Sequence, residues 1–358
     1  MKNAMHKISC FIKQLVFRTL LLMIVLASVG YYFYFYKASD TGVITGKIRD
    51  IRLGEVSGVA VSEVNADTLW VHNDSGHKPM LYAISGRGNI RERFILKDVT
   101  LIDIEDIAMF KDQDGNSMIM LTDLGLNSRL RNESPTRIVI FKEPDLLKDL
   151  DTLASLKDGQ IYEISDYKTY EIAYPDYPIS EINEVGIFAN LIEHMESDNP
   201  NIEAVAVDSL AKEVLFFTKT YKGKTDVLSY PLDELTQDTA NMVMYKGTID
   251  IKSLTTGYHV DYRHLIFSPV NFPYAVTGAD VSKDQKTLLI RTYGNVWKWD
   301  RGYSDKPFSD FVLVSKPQYI MSAFEPLGES VGVDSDNLGY YTISEGFFSK
   351  IYYNRLDK

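Results

Sequence analysis

Acidic side chains recur at matching positions of a repeated strand pattern in this sequence. Five times, a short apolar run turns through Asp, Asn, Gly or Lys residues and returns as a second apolar run. Carboxylates stand where the first runs begin or the second runs end, and hard cations such as Ca²⁺ bind carboxylate oxygens. We therefore predict a divalent cation, calcium first, held by Glu105, Asp123, Glu203, Asp280 and Glu329.

The ends of the second runs also supply amide, basic and phenolic groups. We predict that they bind a ligand beside the cation, through Asn73, Asp74, Lys219, Arg291, Tyr293 and Glu345. Carboxylates suit a cation, whereas Lys and Arg suit an anionic group. Two functions fit this pattern, namely ligand or partner binding, and metal-assisted hydrolysis of a phosphate or other ester. A third interpretation is structural, with the charged groups joining the repeats through salt bridges.

The repeats predict the fold. The five strand pairs begin near Glu55, Ile104, Asn201, Thr277 and Gly328, and each is followed by a third strand-like run. Fourth runs follow in four repeats, at Arg91–Leu96, Gln160–Ile172, Met242–Ile251 and Phe311–Val314. Four antiparallel strands repeated in this way predict an all-β protein, a five-bladed β-propeller over residues 43–358. A sixth blade within residues 253–275 and a β-sandwich are the alternatives.

The fifth repeat ends one strand short. Val43–Arg49 is a strand-like run without a repeat of its own, so we expect it to complete the last blade and close the ring. In a propeller, the first strands begin and the second strands end at the same mouth of the channel. Glu105, Glu203, Asp280 and Glu329 are therefore expected to converge there. Residues 177–200 have helical apolar spacing and are predicted as a helical insertion.

The N-terminus carries an apolar segment. Thr19–Tyr36 has no charged residue and is long enough to cross a bilayer as a helix. Basic residues precede it, so we predict a membrane anchor with residues 1–18 in the cytoplasm and the propeller outside it, in the periplasm or at the cell surface. A cleaved signal peptide, cut near Ser28–Gly30, is the alternative.

The charge and the cysteine content exclude one class of partner and one kind of cross-link. The formal net charge is −11, and because the first 37 residues hold five basic and no acidic residues, the remainder carries about −16. Such a body repels phosphate, so nucleic acid is excluded as a partner, and an unknown small-molecule or protein ligand is expected. Cys10 is the only cysteine, which excludes an intramolecular disulfide.

The order of the short motifs resembles that of a family of bacterial secreted or membrane-anchored β-propellers, grouped with phytase-like esterase domains. The similar stretches are Glu55–Gly58, His72–Gly76, Asp103–Ala108, Asp123–Asn127, Glu203–Ala204, Thr218–Lys219, Thr277–Asp280, Arg291–Tyr293, Gly328–Glu329 and Ser344–Gly346. The resemblance covers nearly the whole body from about residue 44. It implies a propeller fold and phosphoesterase or esterase activity.

Overall fold

The computed structural model describes residues 42–125, 134–146, 161–175, 200–220, 223–255, 272–320, 323 and 325–356, together with Thr19 and Met23. The chain divides into two compact units, Met1–Thr41 and Gly42–Lys358. Every described strand belongs to the second unit. The predicted N-terminal helix (apart from Thr19 and Met23) and the predicted insertion at 177–200 (apart from Pro200) lie outside the described residues. Among the residues described, no helix is long and apolar enough to span a membrane.

The second unit is built from five β-sheets, which we number as blades in chain order. Strand β1 (Val43–Lys47) precedes blade 1, which contains β2 (Val56–Val61), β3 (Leu69–Asn73), β4 (Met80–Ile84) and β5 (Ile90–Leu96). Blade 2 contains β6 (Ile104–Lys111), β7 (Ser117–Asp123), β8 (Arg137–Lys142) and, after β9 (Tyr162–Ile164), β10 (Tyr167–Ala173). Blade 3 contains β11 (Ile202–Asp208), β12 (Glu213–Thr218), β13 (Thr225–Pro231) and, after β14 (Asn241–Met242), β15 (Met244–Ile249).

Two more blades complete the ring. Blade 4 contains β16 (Val276–Val281), β17 (Thr287–Thr292), β18 (Val296–Asp300) and β19 (Gln318–Ile320). Blade 5 contains β20 (Gly328–Val333), β21 (Gly339–Ser344) and β22 (Lys350–Arg355). Short helices lie between strands, namely α1 (Ile251–Leu254), α2 (Phe308–Val314) and 3₁₀ turns at Leu232–Glu234 and Phe272–Tyr274.

The first strands of the blades form a closed ring. Strand β2 packs against β6, β6 against β11, β11 against β16, β16 against β20, and β20 against β2. This closed cycle confirms the predicted five-bladed propeller and excludes the sandwich. No sixth blade is present among the residues that the structure describes.

Strand β1 completes the last blade, as predicted. It pairs antiparallel with β22, with Val43 opposite Tyr353 and Lys47 opposite Lys350. The N-terminal strand therefore supplies the fourth strand of blade 5 and covers an edge that would otherwise be open.

Two predicted fourth strands differ from the observed ones. The run Gln160–Ile172 is divided between two sheets, because β9 pairs parallel with β5 of blade 1 while β10 pairs with β8 of blade 2. The run Phe311–Val314 is helical and belongs to α2. Its apolar residues Phe308, Phe311 and Val312 have the spacing of one helix face, and they pack on the core between blades 3 and 4. Strand β19 takes the fourth position instead.

Apolar layers between neighbouring blades form the core. Trp70, Leu121 and Phe141 lie in the layer between blades 1 and 2. Phe217 and Trp297 lie between blades 3 and 4. The first and second strands of the blades are largely buried.

Candidate functional site

A β-bulge occurs at the same place in the first strand of every blade. The register with the second strand shifts at one residue near the beginning of β2, β6, β11, β16 and β20. The residues inside these shifts are Ser57, Glu105, Glu203, Thr277 and Glu329. A bulge leaves one residue out of the ladder and re-aims its side chain. The five bulge positions therefore define one mouth of the channel, which we call the bulge mouth.

Two bulge residues join neighbouring blades. Ser57 Oγ donates a hydrogen bond of 2.5 Å to the carbonyl oxygen of Glu105. Thr277 Oγ1 donates one of 2.8 Å to the carbonyl oxygen of Gly328. Blades 1 and 4 thus use a hydroxyl group as a structural link, whereas blades 2, 3 and 5 place a glutamate at the bulge.

Three carboxyl groups of blades 1 and 2 form what we call the acidic triad. One carboxylate oxygen each of Asp74, Asp103 and Glu105 lies within 4.8 Å of the other two. Asp74 directly follows β3, and Asp103 and Glu105 flank the first residue of β6. Residues two apart in an extended segment point to the same side, which brings Asp103 and Glu105 together.

Glu105 is a buried carboxyl group of the acidic triad. Only 5% of the residue is exposed, and its carboxylate makes no hydrogen bond or ion pair within the described part of the chain. Burial raises its pKa well above the ordinary value, and the nearby charges of Glu203, Asp74 and Asp103 raise it further. Burial also raises the pKa of Asp74, to about 8, with Glu203 and Asp103 adding to the effect. The ammonium of Lys219 opposes both rises but does not cancel them.

Lys219 neutralises the other half of the bulge mouth. Its Nζ lies 2.9 Å from Glu203 Oε2 and 5.1 Å from the centroid of the Tyr293 ring. Glu203 Oε1 accepts a hydrogen bond of 2.7 Å from Asn201 Nδ2, so both of its carboxylate oxygens have partners. This arrangement is a salt bridge with a cation–π contact in a mostly buried site.

Two glutamates of blade 5 lie beside Lys219. Burial raises the pKa of Glu329 to about 7, although the ammonium of Lys219 opposes the rise. Burial likewise raises the pKa of Glu345, again against the effect of Lys219. Glu329 Oε2 is buried and accepts no hydrogen bond from the described residues. One lysine thus faces three glutamates from two blades.

Most of the predicted site residues meet at the bulge mouth. The residues that the structure brings together are Asp74, Glu105, Lys219, Glu203, Tyr293, Glu329 and Glu345. Their roles as metal or ligand contacts remain predictions. The other four, Asn73, Asp123, Asp280 and Arg291, have structural partners instead.

The expected convergence of Asp280 with the glutamates is wrong. Asp280 lies three residues beyond the bulge at Thr277, which is about 10 Å further along an extended strand. Its carboxylate accepts hydrogen bonds from the backbone N–H groups of Val281 and Val333, at 2.9 and 2.7 Å. Thr277 occupies the position that blades 2, 3 and 5 give to glutamate, and Asp280 stands three residues further along β16.

Asp123 and Asn73 hold the loops that carry other site residues. Asp123 Oδ1 accepts hydrogen bonds from the N–H groups of Ile102 and Asp103, at 3.1 and 2.9 Å. Asn73 donates to the carbonyl oxygen of Arg52 at 2.5 Å. Asp123 therefore positions the backbone of the triad member Asp103.

Arg291 is part of a buried ion pair. One guanidinium nitrogen lies 2.7 Å from Glu325 Oε2, and both side chains are 2% exposed. Another donates to the carbonyl oxygen of Ser330 at 2.6 Å. The predicted anion-binding group thus joins blades 4 and 5 and is inaccessible to a ligand.

Asp103 and Gly125 are site residues absent from the predicted sets. The signal for Asp103 was present in the sequence, because it stands two residues before Glu105 at the start of a strand. Gly125 lies against the carboxylates of Asp103 and Glu105, and no pattern in the sequence predicts this contact.

Comparisons with known proteins do not assign the chain to a family. No protein-family profile matches the chain, and no curated protein sequence matches it. Among solved structures, a nidogen/laminin complex aligns at TM-score 0.37 and 10% identity, covering 81% of this chain and 72% of that one. The β-propeller domain of Cps50 (Swd1) from Myceliophteria thermophila aligns with the same TM-score and identity, covering 87% and 99%. At these scores the likenesses carry no functional argument, and the fold rests on the strand pairing.

Proposed function

We propose that this chain is a ligand-binding β-propeller that holds a divalent cation at the acidic triad. The observation that supports the proposal most strongly is the buried carboxylate of Glu105, which has no hydrogen-bonding partner among the described residues and lies with an oxygen within 4.8 Å of oxygens of Asp74 and Asp103. Like charges this close raise one another's pKa values, and a cation that replaces the protons would remove that cost.

The chemistry of the triad favours calcium. All three ligands are carboxylates, and no His or Cys belongs to the described cluster. Oxygen-only sites suit Ca²⁺ or Mg²⁺, whereas zinc prefers nitrogen and sulfur ligands. Ca²⁺ takes six to eight oxygens in flexible geometry, so three carboxylates leave coordination positions for water or for an oxygen of a ligand.

The proposed location is outside the cytoplasm. The apolar segment at 19–36 would anchor the chain, and the acidic propeller would face the periplasm or the cell exterior. Calcium sites of extracellular modules operate at about 10⁻⁴–10⁻³ M. A triad whose carboxyl groups must first lose protons suits that range.

Metal-assisted ester hydrolysis is the second candidate. Lys219 favours it, because its ammonium lies close enough to Glu105 and Asp74 to lower their pKa values. A cation at the triad would polarise an ester oxygen, and Lys219 would stabilise developing negative charge. Calcium-dependent release of p-nitrophenol from its phosphate or acetate ester, lost in Lys219→Met, would support this function.

Thermal unfolding of the full-length chain tests the cation proposal. A ligand of the folded state stabilises it by about 2.7 kcal/mol at a hundredfold excess over Kd. We expect calcium to raise Tm, a chelator to reverse the rise, and Asp103→Asn to remove it. Asp114→Asn, in the exposed turn between β6 and β7, is the matched control and should respond like the wild type. A wild-type Tm that is the same with calcium and with chelator would refute the proposal.

A further inference from the structure

An exposed apolar rim lies beside the bulge mouth, on blades 5 and 1. It consists of Ile51, Leu327, Phe347 and Phe348, which are 68%, 36%, 69% and 45% exposed. Ile51 precedes β2, Leu327 precedes β20, and the two phenylalanines lie in the turn between β21 and β22. We call these four residues the apolar rim.

The backbone fixes the aromatic part of the rim. The N–H of Gly346 donates a hydrogen bond of 2.9 Å to the carbonyl oxygen of Gly54. A Cβ on Gly54 would lie 2.5 Å from the ring of Phe347, so this ring packs directly on the Gly54 backbone. Phe348 has a φ of 60°, which is unusual for a bulky side chain. The turn therefore leaves both rings partly exposed at the expense of backbone strain at Phe348, and Lys47 Nζ lies 5.4 Å from the centroid of the Phe348 ring.

The rim is continuous with the acidic mouth. The N–H of Glu345 donates to the carbonyl oxygen of Leu327 at 2.8 Å. The carboxyl group of Glu345 is also close enough to Glu55 and Glu203 for their charges to raise its pKa, after burial as the main cause. The side chain of Glu55 is about half exposed, and its Oε2 lies 3.2 Å from Nδ1 of the exposed His77. The apolar rim and the acidic side chains of the bulge mouth therefore adjoin each other.

We propose that the apolar rim and the carboxylates Glu55 and Glu345 bind a basic, apolar peptide segment of a partner protein. Aromatic or aliphatic side chains of the segment would pack on Phe347 and Phe348, and its Lys or Arg would pair with the two glutamates. Charge complementarity selects this occupant, since the chain beyond residue 37 carries about −16 and repels anionic partners.

Cation binding at the triad is not needed for this interaction. A divalent ion at Asp74, Asp103 and Glu105 would leave Lys219 facing the glutamates of blades 3 and 5, namely Glu203, Glu329 and Glu345. The mouth would still attract a basic segment, and the apolar rim would be unchanged. The two proposals can therefore fail separately.

Fluorescence anisotropy with three labelled synthetic peptides tests the inference on the full-length chain. One peptide alternates Lys with Phe and Leu, the second replaces the apolar residues with Ser, and the third replaces Lys with Glu. We expect saturable binding of the first peptide alone, with calcium and with chelator. Phe347→Ser and Glu345→Gln should each weaken it by about tenfold or more.

Matched controls separate the rim from general surface effects. Tyr303→Ser removes a fully exposed aromatic side chain, and Glu163→Gln removes an exposed acid that pairs with Lys97. Both should bind the first peptide like the wild type. The inference is overturned if the wild type does not bind this peptide, binds the Ser-containing peptide equally well, or binds unchanged in Phe347→Ser. Preferential binding to vesicles of phosphatidylserine would also overturn it in favour of a membrane surface.

Discussion

The carboxylate of Glu105 packs directly against the Cα of Gly125, in the segment that follows β7. A Cβ at Gly125 would lie 1.9 Å from Glu105 Oε1 and 2.4 Å from Asp103 Oδ2. Because no side chain fits at such distances, the absence of a side chain at residue 125 allows the two carboxylates to face each other. The backbone of blade 2 therefore forms the floor of the acidic triad.

Gly125→Ala should impair the triad more than the fold. The added methyl group would push the ends of both acidic side chains away from each other, so we expect calcium affinity to fall by at least about tenfold. Calorimetric titration with calcium measures this change. Gly86→Ala is the control, since its Cβ would lie 3.1 Å from the side chain of Asp67 and touch no triad member. Equal affinities in the two variants would contradict this account of Gly125.

The stability of the calcium-free protein should fall as pH rises from about 4 to about 8. The folded-state pKa of Asp74 is about 8, against an ordinary value of 3.8, and that of Glu105 is raised as well. The folded state therefore keeps protons that the unfolded chain has lost, and each such group costs about 1.4 kcal/mol per pH unit in this window. Urea unfolding in chelator at several pH values measures the slope.

Two variants distinguish Asp74 from other acids in that experiment. Asp74→Asn should reduce the slope without abolishing it, since the pKa values of Glu105 and Glu329 are also raised, whereas Asp114→Asn should leave it unchanged. Saturating calcium should also reduce the slope in the wild type, because the cation replaces the protons of the triad. If stability in chelator increased over the same pH range, the predicted sign would be wrong.

Lys219→Met should strengthen cation binding. The ammonium lowers the pKa values of Asp74 and Glu105, so it also repels an incoming cation. Its removal would also leave Glu203 without its salt bridge and available as a further ligand. We expect affinity for calcium to rise by about tenfold in titration calorimetry.

Lys212→Met provides the comparison for Lys219. Lys212 forms an exposed salt bridge of 2.6 Å with Asp233, away from the triad. Calcium affinity should not change in this variant. A weaker affinity in Lys219→Met would show that Lys219 organises the site rather than opposing the cation.

Asp280→Asn should reduce stability and leave calcium binding intact. The carboxylate accepts hydrogen bonds from the N–H groups of Val281 and Val333, and an amide has only one oxygen to offer. A buried, mismatched donor costs about 1–3 kcal/mol. Thermal unfolding should show a lower Tm, with the same upward shift on adding calcium as the wild type. Loss of that shift would place Asp280 back in the cation site.

The repeated strand pattern was sufficient to predict the ring and its closure by β1. Each blade repeats the same alternation of apolar runs and turn residues, which depends on local sequence. The run Phe311–Val314 was misassigned because four apolar-rich residues have no clear period, and its helical packing against blades 3 and 4 is tertiary. The division of Gln160–Ile172 between two sheets is likewise a long-range pairing.

The candidate site was only partly predictable for a similar reason. Glu105, Glu203 and Glu329 were identified because blades 2, 3 and 5 place an acid at the same offset. The bulge that fixes this offset is a backbone feature without its own residue signature, so Asp280 was chosen over Thr277 in blade 4. Arg291 pairs with Glu325, which lies far along the chain, and Asp123 accepts a hydrogen bond from the backbone N–H of Asp103. Neither contact can be read from the composition of the sequence.

Calcium titration calorimetry of the full-length wild type, Glu105→Gln and Glu163→Gln, at a pH above the pKa of about 8 of Asp74, tests the central claim most directly. We expect one calcium ion per chain in the wild type and in Glu163→Gln, and affinity at least about tenfold weaker in Glu105→Gln. Absence of calcium binding to the wild type, or equal affinity in Glu105→Gln, would contradict it.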